Sequence, residues 1–374
     1  MKNKAFSISL LDRVVKEINA ACSIKIEEAI GLDGSNNELR GFLFLLFEKE
    51  KPEPTLFAKI ADGPGLEPIL LKEQENLEWL RTALPGHLRE LIPQPLWQGC
   101  FNGCCVTVRS VLEGETLKNA PPARYFSKKA AHDTFESLSR WLLEFYAASG
   151  KVKKSQDHPD LWQQVETEQR YLDTFLLSDT EERVVKEAWS RVKDALAQGL
   201  LLVPRHWDLC AANVIVNGGR FGIIDWEMPL EPELPLFDLF YFCSSTRCMG
   251  ASFIRRQGHF ESFKRAYFHN NFFSQAVCEV IFRHARKLKL SPDLIPHLFV
   301  AAQTEIAMLK YRTVLMSHCL DPAGFKGGEQ SSEEREERWE KIPLKFMDLP
   351  MSCIDNGVCL TVRHTAENFS KLAL

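Results

Sequence analysis

The stretch RHWDLCAAN at residues 205–213, followed by IIDWE at residues 223–227, carries the most information about the fold. It places Asp208 five residues before Asn213, and Asp225 twelve residues after Asn213. Two isolated carboxylates and one carboxamide therefore stand at fixed intervals beside short apolar runs. Such intervals are informative because they limit how the side chains can meet in space.

A β-hairpin is predicted between these polar residues. The apolar runs at residues 214–216 and 221–224 flank Asn217-Gly218-Gly219, and Asn-Gly and Gly-Gly supply the positive φ angles that a tight turn needs. A loop, a short hairpin and an acidic residue leaving a buried strand bring Asp208, Asn213 and Asp225 to one edge. The alternative is a hairpin that carries unrelated surface acids.

This arrangement is typical of phosphoryl transfer. A carboxylate such as Asp208 accepts the proton of the attacking hydroxyl, while an amide oxygen and a second carboxylate, from Asn213 and Asp225, hold Mg²⁺ on the phosphates. The catalytic loop of protein kinases has the same Asp-to-Asn interval, and its metal-binding Asp follows a short hairpin.

The wording His-x-Asp-x-x-x-x-Asn and then Ile-Asp-Trp-Glu resembles the aminoglycoside phosphotransferase and choline kinase family. These are small-molecule kinases with a protein-kinase-like fold. The resemblance, which spans roughly residues 23 to 240, implies that Asp208 is the base and that Asn213 and Asp225 bind Mg²⁺. It also implies that His206 braces the loop, and that Asp238 matches a buried structural Asp of the family, or else caps a helix in its own turn.

The loop departs from the family at four positions. The family usually has Gly where Trp207 stands, His at Cys210, and Pro-Gly at residues 211–212. None of these residues is the implied base or a metal ligand, so the resemblance still implies the same chemistry. The departures reshape the loop beside the acceptor, and the acceptor is therefore left open among a sugar, an amino alcohol and an antibiotic.

Composition is that of an ordinary soluble protein of 374 residues, long enough for two lobes. The formal net charge of −4 gives no electrostatic reason to expect nucleic acid or an anionic membrane as a partner. No apolar run is long enough to span a bilayer, and the first residues make a poor signal peptide. The 11 cysteines are scattered, which favours reduced thiols in a cytoplasmic protein.

The first hundred residues predict a small β-rich lobe. A helix at residues 10–21 precedes three strands at 23–30, 38–48 and 55–60. The loop at residues 31–37 is either a plain hairpin loop or a cover for the phosphates of a nucleotide. Lys59, on the third of these strands, is either an edge-strand lysine or the group that grips those phosphates.

A helix at residues 70–80 follows Lys59 and resembles the family helix whose glutamate holds the lysine. Position for position, that role falls on Glu73, with Glu75 as the alternative and a solvated helix face as the simpler explanation for both. Strands at residues 92–97 and 104–111 come next, and residues 109–117 are predicted to form the hinge that holds adenine through its backbone. Helices are then predicted from residue 127 onward, at 161–177, 181–197, 277–289 and 294–314.

We therefore predict an α+β, two-lobed protein-kinase-like fold. Residues 1–113 form the N-lobe, residues 114–320 the helical C-lobe, and residues 321–374 an extension with a charged helix at 331–342 and a hairpin at 352–362. The predicted activity is transfer of a phosphoryl group from ATP, with Mg²⁺, to a hydroxyl of a small molecule. The alternative is a nucleotide-binding pseudokinase or assembly factor without turnover, and the oligomeric state is left open.

Overall fold

The predicted α+β architecture is confirmed. The computed structural model describes residues 2–22, 24–32, 42–62, 66–101, 103–119, 128–155, 162–175, 177–217, 220–245 and 267–319. A five-stranded sheet occupies the N-terminal part of the chain, and helices dominate the part that follows. The loop predicted to cover phosphates lies mostly outside the described residues, and so do the predicted charged helix and hairpin of the C-terminal extension. The division of the chain after residues 113 and 320 stays a prediction.

The N-terminal sheet is antiparallel throughout, with the strand order β1-β2-β3-β5-β4. Because successive strands are neighbours except at the β3–β5 pairing, a helix between β3 and β4 can lie across one face. The elements of this part are α1 (Lys2–Cys22), β1 (Ile26–Leu32), β2 (Phe42–Glu48), β3 (Leu56–Asp62), α2 (Glu67–Ala83), α3 (Gly86–Arg89), β4 (Pro95–Phe101) and β5 (Cys104–Ser110).

Period-two alternation divides the two faces of this sheet between two helices. On one face, Ala58, Ile60, Val106 and Val108 pack in a cluster that also includes Val14 of α1. The other face is turned toward α2 and carries the alternate residues of β3 and β5, which are Lys59, Ala61, Cys105, Thr107 and Arg109. The alternation therefore directs Lys59 away from the apolar cluster and toward the helix that contains Glu73.

The remainder of the described chain is a helical bundle with short strands. Its elements are β6 (Glu115–Thr116), α4 (Lys128–Ser149), β7 (Lys153–Lys154), α5 (Trp162–Thr174), α6 (Asp179–Ala197), β8 (Leu201–Pro204), β9 (Val214–Asn217), β10 (Arg220–Ile223), β11 (Pro232–Glu233), the helical residues 237–245 (α7), α8 (Phe272–Lys287), a 3₁₀ turn (Pro292–Leu294) and α9 (Ile295–Cys319). One large apolar core joins these helices to the inner side of α2.

The predicted hairpin is present as the antiparallel pair β9 and β10, in which Val214 lies opposite Ile223. β6 pairs with β9 and follows directly after Gly114. Gly114 has φ +123°, and a Cβ there would come within 2.4 Å of the Val216 carbonyl oxygen. Only glycine fits this close approach, at the point where the chain leaves the sheet for the helical part.

Several boundaries differ from the sequence prediction, and two of them illustrate local reasons. β4 begins at Pro95 rather than at residue 92, and the first residue of a strand is a position that proline tolerates. α8 begins at Phe272, five residues before the predicted start at residue 277. Asn271 caps it by accepting hydrogen bonds from the backbone N–H groups of Phe273 and Ser274, a signal that the apolar period alone did not include.

Candidate active site

Lys59 joins the sheet to the loop that follows the hairpin. Its Nζ lies 2.7 Å from Glu73 Oε2 and 2.8 Å from Asp225 Oδ1, and its side chain is only 11% exposed. Burial, with Arg109 nearby, lowers the pKa of Lys59, while Asp225 and Glu227 act in the opposite direction. Glu75, the alternative partner, is exposed and pairs with Lys72.

Glu73 is shared between two cations. One carboxylate oxygen faces Lys59, and the other forms an ion pair with Nη1 of Arg109, which also packs over the Phe57 ring at 4.9 Å from its centroid. Burial lowers the pKa of Arg109 to about 10. Sequence reasoning placed Arg109 in the hinge and missed this contact. The contact could have been predicted from the strand register, because Arg109 shares a sheet face with Lys59.

The charge balance of this cluster favours a bound cation. Glu73, Asp225 and Glu227 supply three negative charges within 4.0 Å of Lys59 or Arg109, which supply two positive charges. One negative charge is left over in a largely buried region. Such an excess attracts a divalent ion more strongly than the same charges would in water.

The loop at residues 205–213 is held from beneath by a buried carboxylate. Asp238 Oδ2 accepts from the His206 backbone N–H at 2.8 Å and Oδ1 from the Trp207 N–H at 3.1 Å. Burial raises the pKa of the Asp238 carboxyl, and the His206 side chain opposes that shift most. Asp238 therefore ties α7 to the loop rather than capping its own helix. His206 Nε2–H donates to the Ile224 carbonyl at 2.9 Å, which links the loop to the end of the hairpin.

Trp207 adopts a left-handed backbone with φ +73°, as does Asp225 with φ +71°. Residues other than glycine rarely adopt this region, and such positions often occur at functional sites. Contacts hold Trp207 in place: its Nε1–H donates to the Pro229 carbonyl at 3.2 Å, and its ring packs on Phe237 and under the Arg205 guanidinium. The positive φ gives a physical reason for the glycine that the family usually has here.

Both carboxylate oxygens of Asp208 are held. Asn213 Nδ2 donates to Oδ2 at 2.9 Å and to the Asp208 backbone carbonyl at 2.9 Å, and the Tyr241 hydroxyl donates to Oδ1 at 2.9 Å. Burial, followed by the charge of Asp208, raises the pKa of the Tyr241 phenol, which stays protonated. Sequence reasoning missed Tyr241, although it follows Asp238 by three residues, on the same side of a helix.

The segment after Asp225 is anchored in both parts of the molecule. Trp226 is buried in the helical core, where its ring packs against His206 and Phe145. Its backbone carbonyl accepts from Asn76 Nδ2 at 2.7 Å, and the Met228 carbonyl accepts from the same nitrogen at 2.7 Å. Asn76 lies on α2 three residues after Glu73, so one helix face contacts both Lys59 and this segment. This residue was not predicted from the sequence.

The residues present fit a hard divalent cation. Asp225 contributes a carboxylate and is itself one of the three acidic residues around Lys59 and Arg109. Asn213 turns its amide nitrogen toward Asp208, and its amide oxygen is the atom that a metal would use. Such oxygen donors are those that Mg²⁺ prefers. The two residues come close through the backbone, since the Ile224 N–H donates to the Asn213 carbonyl at 3.0 Å.

The amino-acid sequence matches one known protein family. A family model described as the phosphotransferase enzyme family, APH, matches residues 39–269, well over half of the chain. The chain belongs to this family. No curated protein sequence matches the chain.

Solved structures of family-like kinases share the fold. A mutant of an aminoglycoside 2'-phosphotransferase-IIIa in complex with GDP matches with a TM-score of 0.52 and 14% identity, over 96% of this chain and 99% of that one. Choline kinase LicA from Streptococcus pneumoniae matches with a TM-score of 0.51 and 14% identity, over 96% and 99%. A thermostable mutant of aminoglycoside phosphotransferase APH(4)-Ia, bound to ADP and hygromycin B, matches with 0.51 and 12%, over 94% and 98%. Among the residues that the structure describes, no helix has the length and hydropathy that a membrane span requires.

Proposed function

We propose that this chain transfers the γ-phosphoryl group of ATP to a hydroxyl group of a small molecule. The observation that carries the proposal is the convergence of Lys59, Glu73, Asp208, Asn213 and Asp225, through contacts between the sheet and the hairpin. Phosphoryl transfer needs positioning and charge neutralisation more than covalent chemistry, and these side chains supply both.

Each residue has a distinct role in this proposal. Lys59, held by Glu73, binds the α- and β-phosphates. Asn213 and Asp225 hold Mg²⁺, which neutralises charge on the phosphates when it is bound. Asp208 accepts the proton of the acceptor hydroxyl, and Asn213 and Tyr241 fix the orientation of its carboxylate. His206 and Asp238 hold the loop backbone in place and do not touch the reacting groups.

The nucleotides in the related structures support a purine nucleotide as the phosphoryl donor. One such structure contains ADP and another contains GDP. The acceptor class that we propose is a sugar, an amino alcohol or an aminoglycoside-like molecule, because choline kinase and two aminoglycoside kinases share the fold. We propose a cytoplasmic location, because Cys100, Cys105, Cys243 and Cys278 carry free thiols.

Binding of Mg-ATP is the first test. A ligand at about 100 times its dissociation constant adds roughly 2.7 kcal/mol to the free energy of unfolding, so Mg-ATP should raise the melting temperature. Asp225→Ala should remove the Mg²⁺-dependent part of that shift. Asp194→Ala, which removes an exposed carboxylate on α6, is the matched control and should keep it. Absence of any Mg-ATP shift in the unaltered protein would contradict both kinase and pseudokinase functions.

Turnover is the second test. The purified protein is incubated with Mg-ATP and pools of hydroxylated metabolites, and ADP formation that depends on the pool is measured. Acceptor-dependent ADP formation supports the proposed enzyme. A Mg-ATP thermal shift without turnover on any pool would favour the pseudokinase. The altered loop at residues 207–212 and a C-terminal extension without a family counterpart are the features that favour this alternative.

A further inference from the structure

A cluster of two thiols and a carboxylate lies at the far end of the sheet from the hinge, and we call it the thiol–carboxylate cluster (Glu67, Cys100 and Cys105). The two sulfur atoms and one carboxylate oxygen all lie within 4.8 Å of one another. Cys100 on β4 is directly opposite Cys105 on β5, and Glu67 is the first residue of α2. Each of three elements therefore contributes one donor atom to the cluster.

We propose that this cluster binds one soft or borderline divalent cation, of which Zn²⁺ is the representative. Two thiolates, one carboxylate and a water molecule make a four-coordinate donor set that Zn²⁺ accepts. Bond lengths of about 2.3 Å to sulfur and about 2.0 Å to oxygen place tetrahedral ligands about 3.5–3.8 Å apart. The observed separations are within about 1 Å of that geometry, so small side-chain rotations are enough to close the site.

The electrostatics of the cluster agree with a cation site. Burial, together with the nearby Cys100 and Glu67, raises the pKa of the Cys105 thiol to about 12. These neighbours therefore oppose ionisation of Cys105, and a coordinated dication would remove that repulsion because it displaces the thiol proton. Cys105 is buried while Cys100 is exposed, which gives the ion an open path from solvent to the inner ligand.

The site would act on the helix that organises the active site. Glu67 begins α2, and the same helix carries Glu73 and Asn76 further along. A metal at Glu67 fastens the first turn of α2 to the β4–β5 hairpin. This adds a constraint to the helix that contacts Lys59, through residues distinct from the Mg²⁺ ligands proposed above.

Zn²⁺ binding to the reduced, full-length protein tests the proposal. The probe is Zn²⁺ alone, titrated against a chromogenic chelator, with Co²⁺ substitution to detect thiolate-to-metal charge transfer. The unaltered protein should bind one equivalent that Cys100→Ser and Cys105→Ser each weaken by at least about 10-fold, and Glu67→Gln should weaken it as well. Cys104→Ser is the matched control, because Cys104 neighbours Cys105 but packs in the cluster on the α1 side of the sheet.

Hydrogen exchange supplies a readout that is independent of affinity. Zn²⁺ should slow exchange in the first turn of α2 in the unaltered protein and in Cys104→Ser, and should not do so in Cys100→Ser. Cys100 is exposed, so its substitution preserves folding even if Cys105→Ser does not. Equal Zn²⁺ affinity in Cys100→Ser and Cys104→Ser would overturn the proposal.

Discussion

At the scale of single residues, Trp207 is one of the four positions at which this chain departs from the usual family loop. Its φ of +73° lies in the left-handed region, where a Cβ costs roughly 1 kcal/mol or more. The side chain recovers this cost through its contacts with Phe237, Arg205 and the Pro229 carbonyl. A tryptophan at a position that favours glycine is thus an exchange of backbone strain for packing.

At Trp207 we predict that glycine stabilises the fold more than alanine does, the reverse of the usual order. Trp207→Gly should be more stable than Trp207→Ala by about 1 kcal/mol, because both lose the indole contacts and only glycine relieves the strain. Chemical denaturation of the two variants measures the difference. Ala212, where φ is not positive, is the control, and Ala212→Gly should lower the free energy of unfolding instead. A Trp207→Ala variant that equals or exceeds Trp207→Gly would contradict the strain.

At the scale of elements, α2 links the sheet to the segment after Asp225. Asn76 donates to the Trp226 and Met228 carbonyls, so Asn76→Leu leaves one buried and one partly buried acceptor without their donor. We expect a loss of about 2 kcal/mol in the free energy of unfolding and a smaller Mg-ATP thermal shift. Glu75→Leu, on the exposed side of the same helix, is the control and should change stability by less than about 0.5 kcal/mol. An unchanged Mg-ATP shift in Asn76→Leu would show that α2 does not position the metal ligands.

The contact between α4 and α8 contains a pH-sensitive group. His284 is fully buried and its Nδ1 lies 2.9 Å from the Ser139 hydroxyl, and burial lowers the pKa of the imidazole to about 4. The folded state therefore favours neutral His284, and its contribution to stability is present above pH 6.5 and is lost as the pH falls toward 4.

His284→Leu should flatten the pH dependence of stability in this window. The pKa difference corresponds to about 3 kcal/mol at most, so melting temperatures measured from pH 7 to pH 4 should fall less in the variant than in the unaltered protein. His87→Leu, at an exposed position, should retain the original slope. Identical slopes in the unaltered protein and His284→Leu would exclude His284 as the source.

Elements that depend on neighbouring residues were predicted from the sequence, whereas contacts between distant elements were not. Spacing along the chain predicted the β9–β10 hairpin and the helix of Glu73, because local period and turn residues determine them. Arg109, Asn76 and Tyr241 were missed because their partners lie far away in sequence, at separations from 33 to 152 residues for the hydrogen bonds. Their positions on a shared sheet or helix face were visible, but a partner for each required the tertiary structure. Asp238 was predicted to be buried or to cap its own turn, and its bonds to the loop backbone were equally non-local.

At the scale of the whole molecule, three of the polar contacts in the described residues connect the sheet, α2 and the turn after α3 to the helical part. Lys59 pairs with Asp225, Asn76 holds the segment after it, and the Ile223 backbone N–H donates to the Leu91 carbonyl at 2.8 Å. All three converge on the end of the hairpin. The nucleotide and metal ligands that we propose therefore come from both parts of the molecule, while the proposed base, Asp208, belongs to the helical part alone.

This separation allows binding and chemistry to be tested apart. Asp208→Asn keeps the shape of the side chain: its amide oxygen can accept from Asn213, and its NH₂ group can donate to the Tyr241 oxygen. The variant cannot accept the proton of an acceptor hydroxyl, and loss of a positioned base lowers the rate by about 10²–10⁴. Asp225→Asn, by contrast, removes charge from a proposed metal ligand and should alter the Mg²⁺ dependence of both binding and turnover.

The most direct measurement is the rate of phosphoryl transfer by Asp208→Asn, relative to the unaltered protein, on the acceptor that the metabolite pools identify. The Mg-ATP thermal shift of both proteins is recorded in parallel. We predict an unchanged thermal shift with a rate at least about 10²-fold lower. Turnover at the unaltered rate would contradict the assignment of Asp208 as the base.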